Sequence, residues 1–435
     1  MNDMKHLFKQ VIYDMKAQPV LGIVSIIGTA LAIMLIMVVV MIQQTRVAPY
    51  APESNRDRFL YTNGFMVRSE DGRMTCSSRH SLLALQELYG NLETPERVTI
   101  FDSSFADKEV SVDGVAPFMI DTRMTDDEYW RVFDHTFVDG HPFTAADATV
   151  KPPVVVITES VSRRLFGTEK SAGREFLCHQ WPVRVCGVVK DVSPIMGMSY
   201  AQLWSPINPD QINQDRTKEL SRRYFGSFDA VILLKDKNDM DAARKEIASR
   251  LATFDAQFVG SGNKRDTYGV LDQEEFSLDP GTNQEPDVAG TRRLYYAVYL
   301  ILLLVPAINL SSMTHSRLRR RRHEIGVRRA FGATRNSVLG GILAENLVVT
   351  FVGGLVGLIL SLSFAYLFAD AIFDAWRGWN TPSIELGVSG AMLFRWPVFG
   401  LALLASFILN LLSAGIPAWR ASRVNPVEAI NNNEK

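Results

Sequence analysis

The sequence lacks most of the patterns that announce an enzyme. No Gly-x-x-x-x-Gly-Lys-Ser/Thr loop, His-Glu-x-x-His, Cys-x-x-Cys or Gly-x-Ser-x-Gly occurs in its 435 residues. Nucleotide hydrolysis by this chain, zinc-peptidase chemistry and serine-hydrolase chemistry therefore lose their usual sequence support. Residues 167–173 resemble a phosphate loop but put Lys170 and Ser171 in the wrong places. Seven histidines are scattered singly, without metal-ligand spacing. Catalytic residues and metal ligands are accordingly assigned as none. Cysteine is scarce as well: Cys76, Cys178 and Cys186 are the whole complement. Two readings stay open for them, a Cys178–Cys186 bridge across a hairpin with one cysteine left over, or free buried thiols.

A net charge of −1 says little, because the charge is unevenly distributed along the chain. Four stretches approach or exceed the roughly 20 apolar residues that cross a bilayer: 20–42, 294–312, 347–368 and 397–416. The second carries Pro306 and Asn309 and is expected to kink. The first is longer than a signal-peptide core and has no small-x-small cleavage site close behind it, so it reads as a retained anchor. No ionisable residue sits deep in these spans, so a proton or ion relay through the membrane has no marker.

Residues 317–335 hold eight arginines and one glutamate between the second and third spans. Such a loop stays on the cytoplasmic side. Both termini then lie in the cytoplasm and residues 43–293 lie outside. This predicts an α-helical membrane protein with four transmembrane helices and a large α+β extracytoplasmic domain between the first and second. Its expected parts are a cytoplasmic amphipathic helix (1–19), the span 20–42, the outer domain 43–293 and the span 294–312. A cytoplasmic Arg-rich segment (313–346), the span 347–368, a short outer loop (369–396), the span 397–416 and a cytoplasmic tail (417–435) follow. The amphipathic helix would rest on membrane lipid, its lysines toward anionic headgroups.

Within the outer domain, residues 81–89 and 126–133 read as helices, and 97–101, 108–112, 153–158 and 230–234 as strands. Residues 175–189 read as a hairpin around 179–182. Asn238 is the expected cap of a helix that buries Met240, Ala243, Ile247, Leu251, Phe254 and Phe258. An Asp-rich stretch, 121–147, is expected to present a surface with no recognisable partner.

The Arg-rich segment carries the most specific local pattern. Glu324 and Arg328 are spaced i,i+4 with the acid first, the favourable order on a helix. Val327, Ala330 and Phe331 fall on one helical face. Gly332 suits a left-handed stop, and Thr334 is placed to cap a second helix running into the third span. A short basic helix, a break and a membrane helix would make a lever. The plain alternative is a solvated basic loop held against lipid; a basic run beside a span gives no reason to invoke nucleic acid. In the third span, Gly353 and Gly357 form a Gly-x-x-x-Gly pattern that permits close helix packing.

The run Arg-His-Glu-Ile-Gly-Val-Arg-Arg-Ala-Phe-Gly-Ala-Thr-Arg at 322–335, with the Gly-rich span after it, resembles FtsX-like ABC permeases of the MacB type. So does Pro-Ala-Trp-Arg-Ala-Ser-Arg-Val-Asn-Pro-Val-Glu-Ala-Ile at 417–430. Residues 154–167 and 183–192 are similar to the periplasmic core domain of these permeases. The resemblance implies a non-catalytic permease in the bacterial inner membrane with its large domain in the periplasm, working as a homodimer or heterodimer. It binds no cofactor directly; ATP and Mg would act through a partner ATPase. The contact with that ATPase is carried onto Arg319, Arg320, Arg321, Arg322, Glu324, Ile325, Gly326, Arg328, Arg329, Phe331, Gly332 and Ala333. MacB-type members can carry the ATPase fused at the N-terminus, whereas about 19 residues precede the first span here, so a separate ATP-binding subunit is expected. A periplasmic adaptor or outer-membrane partner is a further expectation. The implied function is mechanotransmission: ATP hydrolysis in the partner moves the periplasmic domain, for efflux of an antibiotic, peptide or toxin. The alternatives are control of a periplasmic enzyme or sensor, and lipoprotein release.

Overall fold

A computed structural model of the chain describes residues 19–73, 75–218, 220–266, 269–279, 286–320, 325–327 and 330–368, with single residues and short pieces between 396 and 419. The chain divides into two compact units. One comprises Met1–Thr45, Ala289–Ile372 and Val388–Lys435, the other Arg46–Val288 and Phe373–Gly387.

Helix α1 spans Pro19–Val47, opening on a proline, whose missing amide costs nothing in a first turn. Strands β1 (Phe59–Tyr61), β2 (Phe65–Ser69) and β3 (Thr75–His80) precede α2 (Leu82–Tyr89), where the Ser81 hydroxyl accepts from the Ala84 amide. Strands β4 (Pro95–Asp102), β5 (Ala106–Val112) and β6 (Val115–Thr125) are followed by a single turn, α3 (Tyr129–Val132), and β7 (Phe137–Gly140). Strand β8 (Val154–Thr158) runs straight into α4 (Glu159–Phe166), which Gly167 ends at φ 70°. Strands β9 (Glu175–Cys178) and β10 (Trp181–Val189) make a two-residue hairpin. Its central residues His179 and Gln180 have φ of 48° and 69°, the paired left-handed geometry that suits the twist of tight hairpins. Strand β11 (Leu203–Pro206), helices α5 (Asp210–Arg216) and α6 (Leu220–Arg223), strands β12 (Phe225–Gly226) and β13 (Phe228–Leu234), helix α7 (Met240–Asp255), strand β14 (Asn263–Arg265) and helix α8 (Gln273–Leu278) come next. Helices α9 (Val288–Arg320) and α10 (Arg335–Leu367) end the traverse.

The outer unit is α+β. Strands β6, β5, β9, β10, β8 and β11 pair in succession, and β11 pairs back to β6 in parallel, closing a six-stranded ring. Val110, Phe118, Ile120, Val155, Ile157, Phe176, Val185 and Leu203 fill one core of this region, with Val161 and Leu165 of α4 packed against them. Strand β4 joins the ring through β6 and pairs along its length with β13. All seven residues of β13 are buried. Phe228, Ala230, Ile232 and Leu234 face a core shared with α2 and α7, while Val231 and Leu233 face an aromatic core with Phe59, Tyr61, Phe101, Phe133 and Trp204. The expected strand positions lie inside β4, β5, β8 and β13, and the helical face of Ala243, Ile247, Leu251, Phe254 and Phe258 is buried.

Several expectations are corrected. The cap before α7 belongs to Asp236, whose carboxylate accepts from the Asn238 amide, because a turn of 3-10 helix at Lys237–Asp239 precedes the α-helix. The helix expected over 126–133 is only Tyr129–Val132. The Asp-rich stretch is not one surface, since Asp121 is buried and the Asp126 carboxylate is engaged by Thr99, Ile100 and Tyr129.

Among the described residues, two helices are long and apolar enough to cross a membrane, Ile26–Gln44 within α1 and α10. The expected second span lies within α9. Half of the expected fourth span (397–416) falls outside the described residues, as do the amphipathic helix expected over 1–19 apart from Pro19, which belongs to α1, and the loop at 369–396 apart from Trp396.

Candidate coupling site

Between α9 and α10 the described residues show a helix stop followed by a new helix start. Ile325–Val327 and Ala330 are helical, and the Phe331 amide still bonds the Val327 carbonyl at 3.0 Å. Gly332 then takes φ 97°. A Cβ there would meet nothing within 4 Å, so glycine is required by backbone conformation rather than by space. Two residues on, the Thr334 side chain accepts from the Ser337 amide at 3.2 Å and its carbonyl receives the Val338 amide at 3.1 Å. Helix α10 therefore begins from a satisfied cap.

Ile325 is 7 % exposed and packs on Val338, Leu339 and Ile342 of the first turns of α10. Gly326 is buried beside it and Ala333 is half-buried. Of the apolar patch expected from Val327, Ala330 and Phe331, Val327 is half-buried. Ala330 is exposed and Phe331 is 89 % exposed, so the corner is held from inside by Ile325 and presents a bare aromatic ring outside. Arg319 and Arg320 lie in the last turn of α9. Arg321, Arg322, Glu324, Arg328 and Arg329 fall outside the described residues.

Gly353 and Gly357 lie on the side of α10 that meets α1. A Cβ at Gly353 would stand 2.8 Å from Thr29 Cβ, and one at Gly357 would stand 2.7 Å from the Ala30 carbonyl oxygen. Thr29, Ala30 and Ile33 are nearly fully buried at this crossing. Between the two glycines, a Cβ at Gly354 would meet Leu403 Cδ1 at 2.5 Å. Side chains of ordinary size are excluded from this contact.

The disulfide reading is corrected: Cys178 and Cys186 are both free, as is exposed Cys76. Cys178 lies opposite Trp181 in the hairpin register. Cys186 is five positions further along β10, about 17 Å away at the rise of an extended strand, well beyond bridging range. Burial raises both thiols, Cys186 to about 12, so neither is poised as a nucleophile. Among the described residues no His, Cys, Asp and Glu cluster could hold a metal ion.

Periodicity gives no hint of the buried polar groups of the outer unit. Glu53 and Arg56 form an ion pair at 2.7 Å with side chains 2 % and 5 % exposed. Arg123, on β6, donates to the carbonyls of Met198 at 2.6 Å and Gly197 at 2.9 Å and lies against the rings of Phe101 and Phe105. The Tyr200 hydroxyl donates to Asp121 at 2.7 Å. Desolvation raises Asp126 to about 7 despite three hydrogen bonds. The same effect keeps His80 and His135 neutral, each lowered to about 3. Residues 193–200, Ser-Pro-Ile-Met-Gly-Met-Ser-Tyr, carry no polar pattern that could have drawn attention to the region.

Two family models match the chain. A MacB-like periplasmic core domain covers residues 20–250 and an FtsX-like permease C-terminal domain covers 296–426. Among curated relatives, an uncharacterized ABC transporter permease, YknZ of Bacillus subtilis, is 26 % identical over 308 residues, covering 70 % of this chain and 68 % of the relative. The macrolide export ATP-binding/permease protein MacB of Chromobacterium violaceum is 26 % identical over 304 residues, covering 70 % of this chain but 42 % of the relative. MacB 1 of Yersinia pestis is 27 % identical over 308 residues, with the same coverages. The chain thus spans less than half the length of the MacB relatives. Among solved structures, the periplasmic region of MacB from Actinobacillus actinomycetemcomitans aligns with 49 % of this chain and 90 % of its own, at 16 % identity and a TM-score of 0.33. The extracellular domain of YknZ from Gram-positive bacteria aligns with 47 % and 99 %, at 14 % identity and a TM-score of 0.30.

Proposed function

The chain belongs to the FtsX-like ABC transporter permeases with a MacB-like periplasmic core domain, and from that premise we propose that it converts ATP hydrolysis by a separate cytoplasmic ATPase into motion of its outer domain. Four transmembrane helices hold it in the inner membrane with both termini cytoplasmic. The domain limits follow the four spans, and the permease acts as a dimer. Substrate leaves from the periplasmic side, with efflux of an antibiotic, peptide or toxin as the favoured cargo class; macrolide export is the role named for the MacB relatives.

The observation that carries this reading is the corner at Gly332. Ile325 inside and the Thr334 cap make the corner stiff, while Phe331 stands clear of the chain's own surface. A ring that exposed is costly to leave in water and suits insertion into a partner's groove, and the arginines that neighbour it in sequence would supply the polar rim of an interface. Thrust on Phe331 would reach α10 through Ile325 and, at the Gly353–Gly357 crossing, α1. Regulation of a periplasmic enzyme would use the same corner and differ only in what the outer domain grips.

The test is a pull-down of the tagged chain from gently solubilised native membranes. Native protein is expected to retain an ATP-binding subunit. Glu324→Lys is expected to lose it, and Gly332→Val to keep the chain in the membrane while uncoupling ATP hydrolysis from transport. Capture of a periplasmic hydrolase or sensor with no ATPase would overturn the reading.

A further inference from the structure

We infer that the buried Glu53–Arg56 pair is a coupling joint, clamping the outer end of α1 to the 193–200 loop so that displacement of the helix reaches the six-stranded ring. The inference rests on the energy-coupling function proposed above. Its geometry is contained within the outer unit, which begins at Arg46 in the last turn of α1.

On one side, Arg56 Nη1 donates to the carbonyls of Ala48 at 3.1 Å and Arg46 at 3.4 Å, where a helix end leaves acceptors without amides of their own. Gln273 Nε2 donates to the same Arg46 oxygen at 2.7 Å. On the other side, Arg56 Nε reaches Glu53 Oε2 at 2.7 Å and Nη2 reaches the Met196 sulfur at 3.3 Å. Glu53 Oε1 accepts from the amides of Met198 at 3.2 Å and Ser199 at 2.9 Å and from the Ser199 hydroxyl at 3.0 Å. One guanidinium thus holds the helix end while its carboxylate partner holds the loop.

The loop is fastened in turn to the seam that closes the ring. Arg123 and Tyr200 tie it to β6 through the Gly197 and Met198 carbonyls and the Asp121 carboxylate. Immediately afterwards the chain enters β11, whose Trp204 sits opposite Arg123 in register. A path of hydrogen-bonded groups therefore runs from the α1 carbonyls to the β6–β11 seam.

Two physical arguments make this a joint rather than mere adhesive. A helix attached to a domain only through its chain can swivel, whereas a second attachment fixes its direction and converts displacement into movement of the loop. A buried ion pair is also a poor way to gain stability, because desolvation consumes most of the attraction and apolar groups of similar volume do as well. What the pair supplies is directional bonding, with the guanidinium fork satisfied on several sides at once.

The experiment uses the full chain in lipid nanodiscs with its captured ATPase and follows amide hydrogen exchange with and without ATP. Arg56→Met and Glu53→Gln are compared with native protein. In the native complex, ATP is expected to change exchange at Met198 and Ser199 and along β6 and β11. In both variants, basal exchange at Met198 and Ser199 should quicken on the order of tenfold or more, as expected when a charge-assisted hydrogen bond is lost. The ATP response of the ring should vanish while capture of the ATPase and hydrolysis stay within about twofold, because the corner is untouched. An ATP response in the ring that survives either variant overturns the joint. So does protection lost from every strand in both variants, which would make the pair purely structural. Failure of the native chain to capture an ATPase, or ATP leaving the whole native outer domain unchanged, removes the energy-coupling reading itself and is distinguishable from both.

Discussion

The corner at Gly332 and the polar core around Glu53 solve opposite problems with opposite means. At the corner, conformation is set by one left-handed glycine and one threonine cap, and the residue offered to the outside, Phe331, has almost no contact with its own chain. The Glu53 carboxylate and the Arg56 guanidinium are sealed from water and held by several partners at once. A surface meant to receive a push can be simple, because the partner completes it. A body meant to carry the push onward needs its groups held from within; the Glu53–Arg56 pair is held so, while Arg123 Nε, further along, is buried without a hydrogen-bond partner among the described residues and marks the place to yield.

Three substitutions sharpen this contrast. The largest effect is expected in the outer unit. Trp204 is fully buried and its indole donates to the Tyr129 hydroxyl at 3.2 Å, so Trp204→Ala should destabilise that unit by about 3–5 kcal/mol, read as a lowered unfolding midpoint of the full chain in detergent. Next comes the helical unit. Gly357→Leu would force a side chain onto the Ala30 carbonyl and should cost about 1–3 kcal/mol, visible as earlier heat inactivation with the outer unit's own transition unmoved. A change in the outer transition would break the comparison.

The smallest effect at neutral pH, but the most diagnostic profile, belongs to Asp126→Asn. Burial raises the native carboxyl from its ordinary 3.8 to about 7. The folded form therefore keeps a proton that the unfolded chain releases. The resulting stabilisation is fully present below the ordinary pKa and is lost as pH rises to about 7. Denaturant titrations of native protein should show stability falling across that window, and the asparagine variant should flatten the fall. An unchanged slope would mean the carboxylate's three hydrogen bonds outweigh its burial.

The same contrast governs what could be read from the sequence. Punctuation was legible: Gly332 and Thr334 are residue types with few other uses at a helix boundary, and they stand where a stop and a cap were expected. Strands rich in valine and isoleucine were legible too. Strand β6 was not, because Asp121, Thr122 and Arg123 interrupt its apolar pattern, and the partners that let Asp121 and Arg123 be buried lie some 75–80 residues away. Strand β3 was hidden for a related reason, since Thr75–Arg79 are exposed and show no alternation. Nothing local marks the Glu53–Arg56 pair, because no sequence pattern reveals that a loop will be swallowed by the domain. Helical spacing put Phe331 on an apolar face but could not say how far its ring would stand out of the chain's own surface.

Strand β13 carries a consequence of its own. Its alternate residues belong to two different cores, so neither core can open without stripping the strand from the other. Melting should be all-or-none across the two layers. The amides of Val231 and Ile232 should exchange only in molecules that have lost both, placing them among the slowest in the chain. Two layers without a weak seam between them have no partly open form in which to absorb work, so whatever force reaches one layer must be passed to the other.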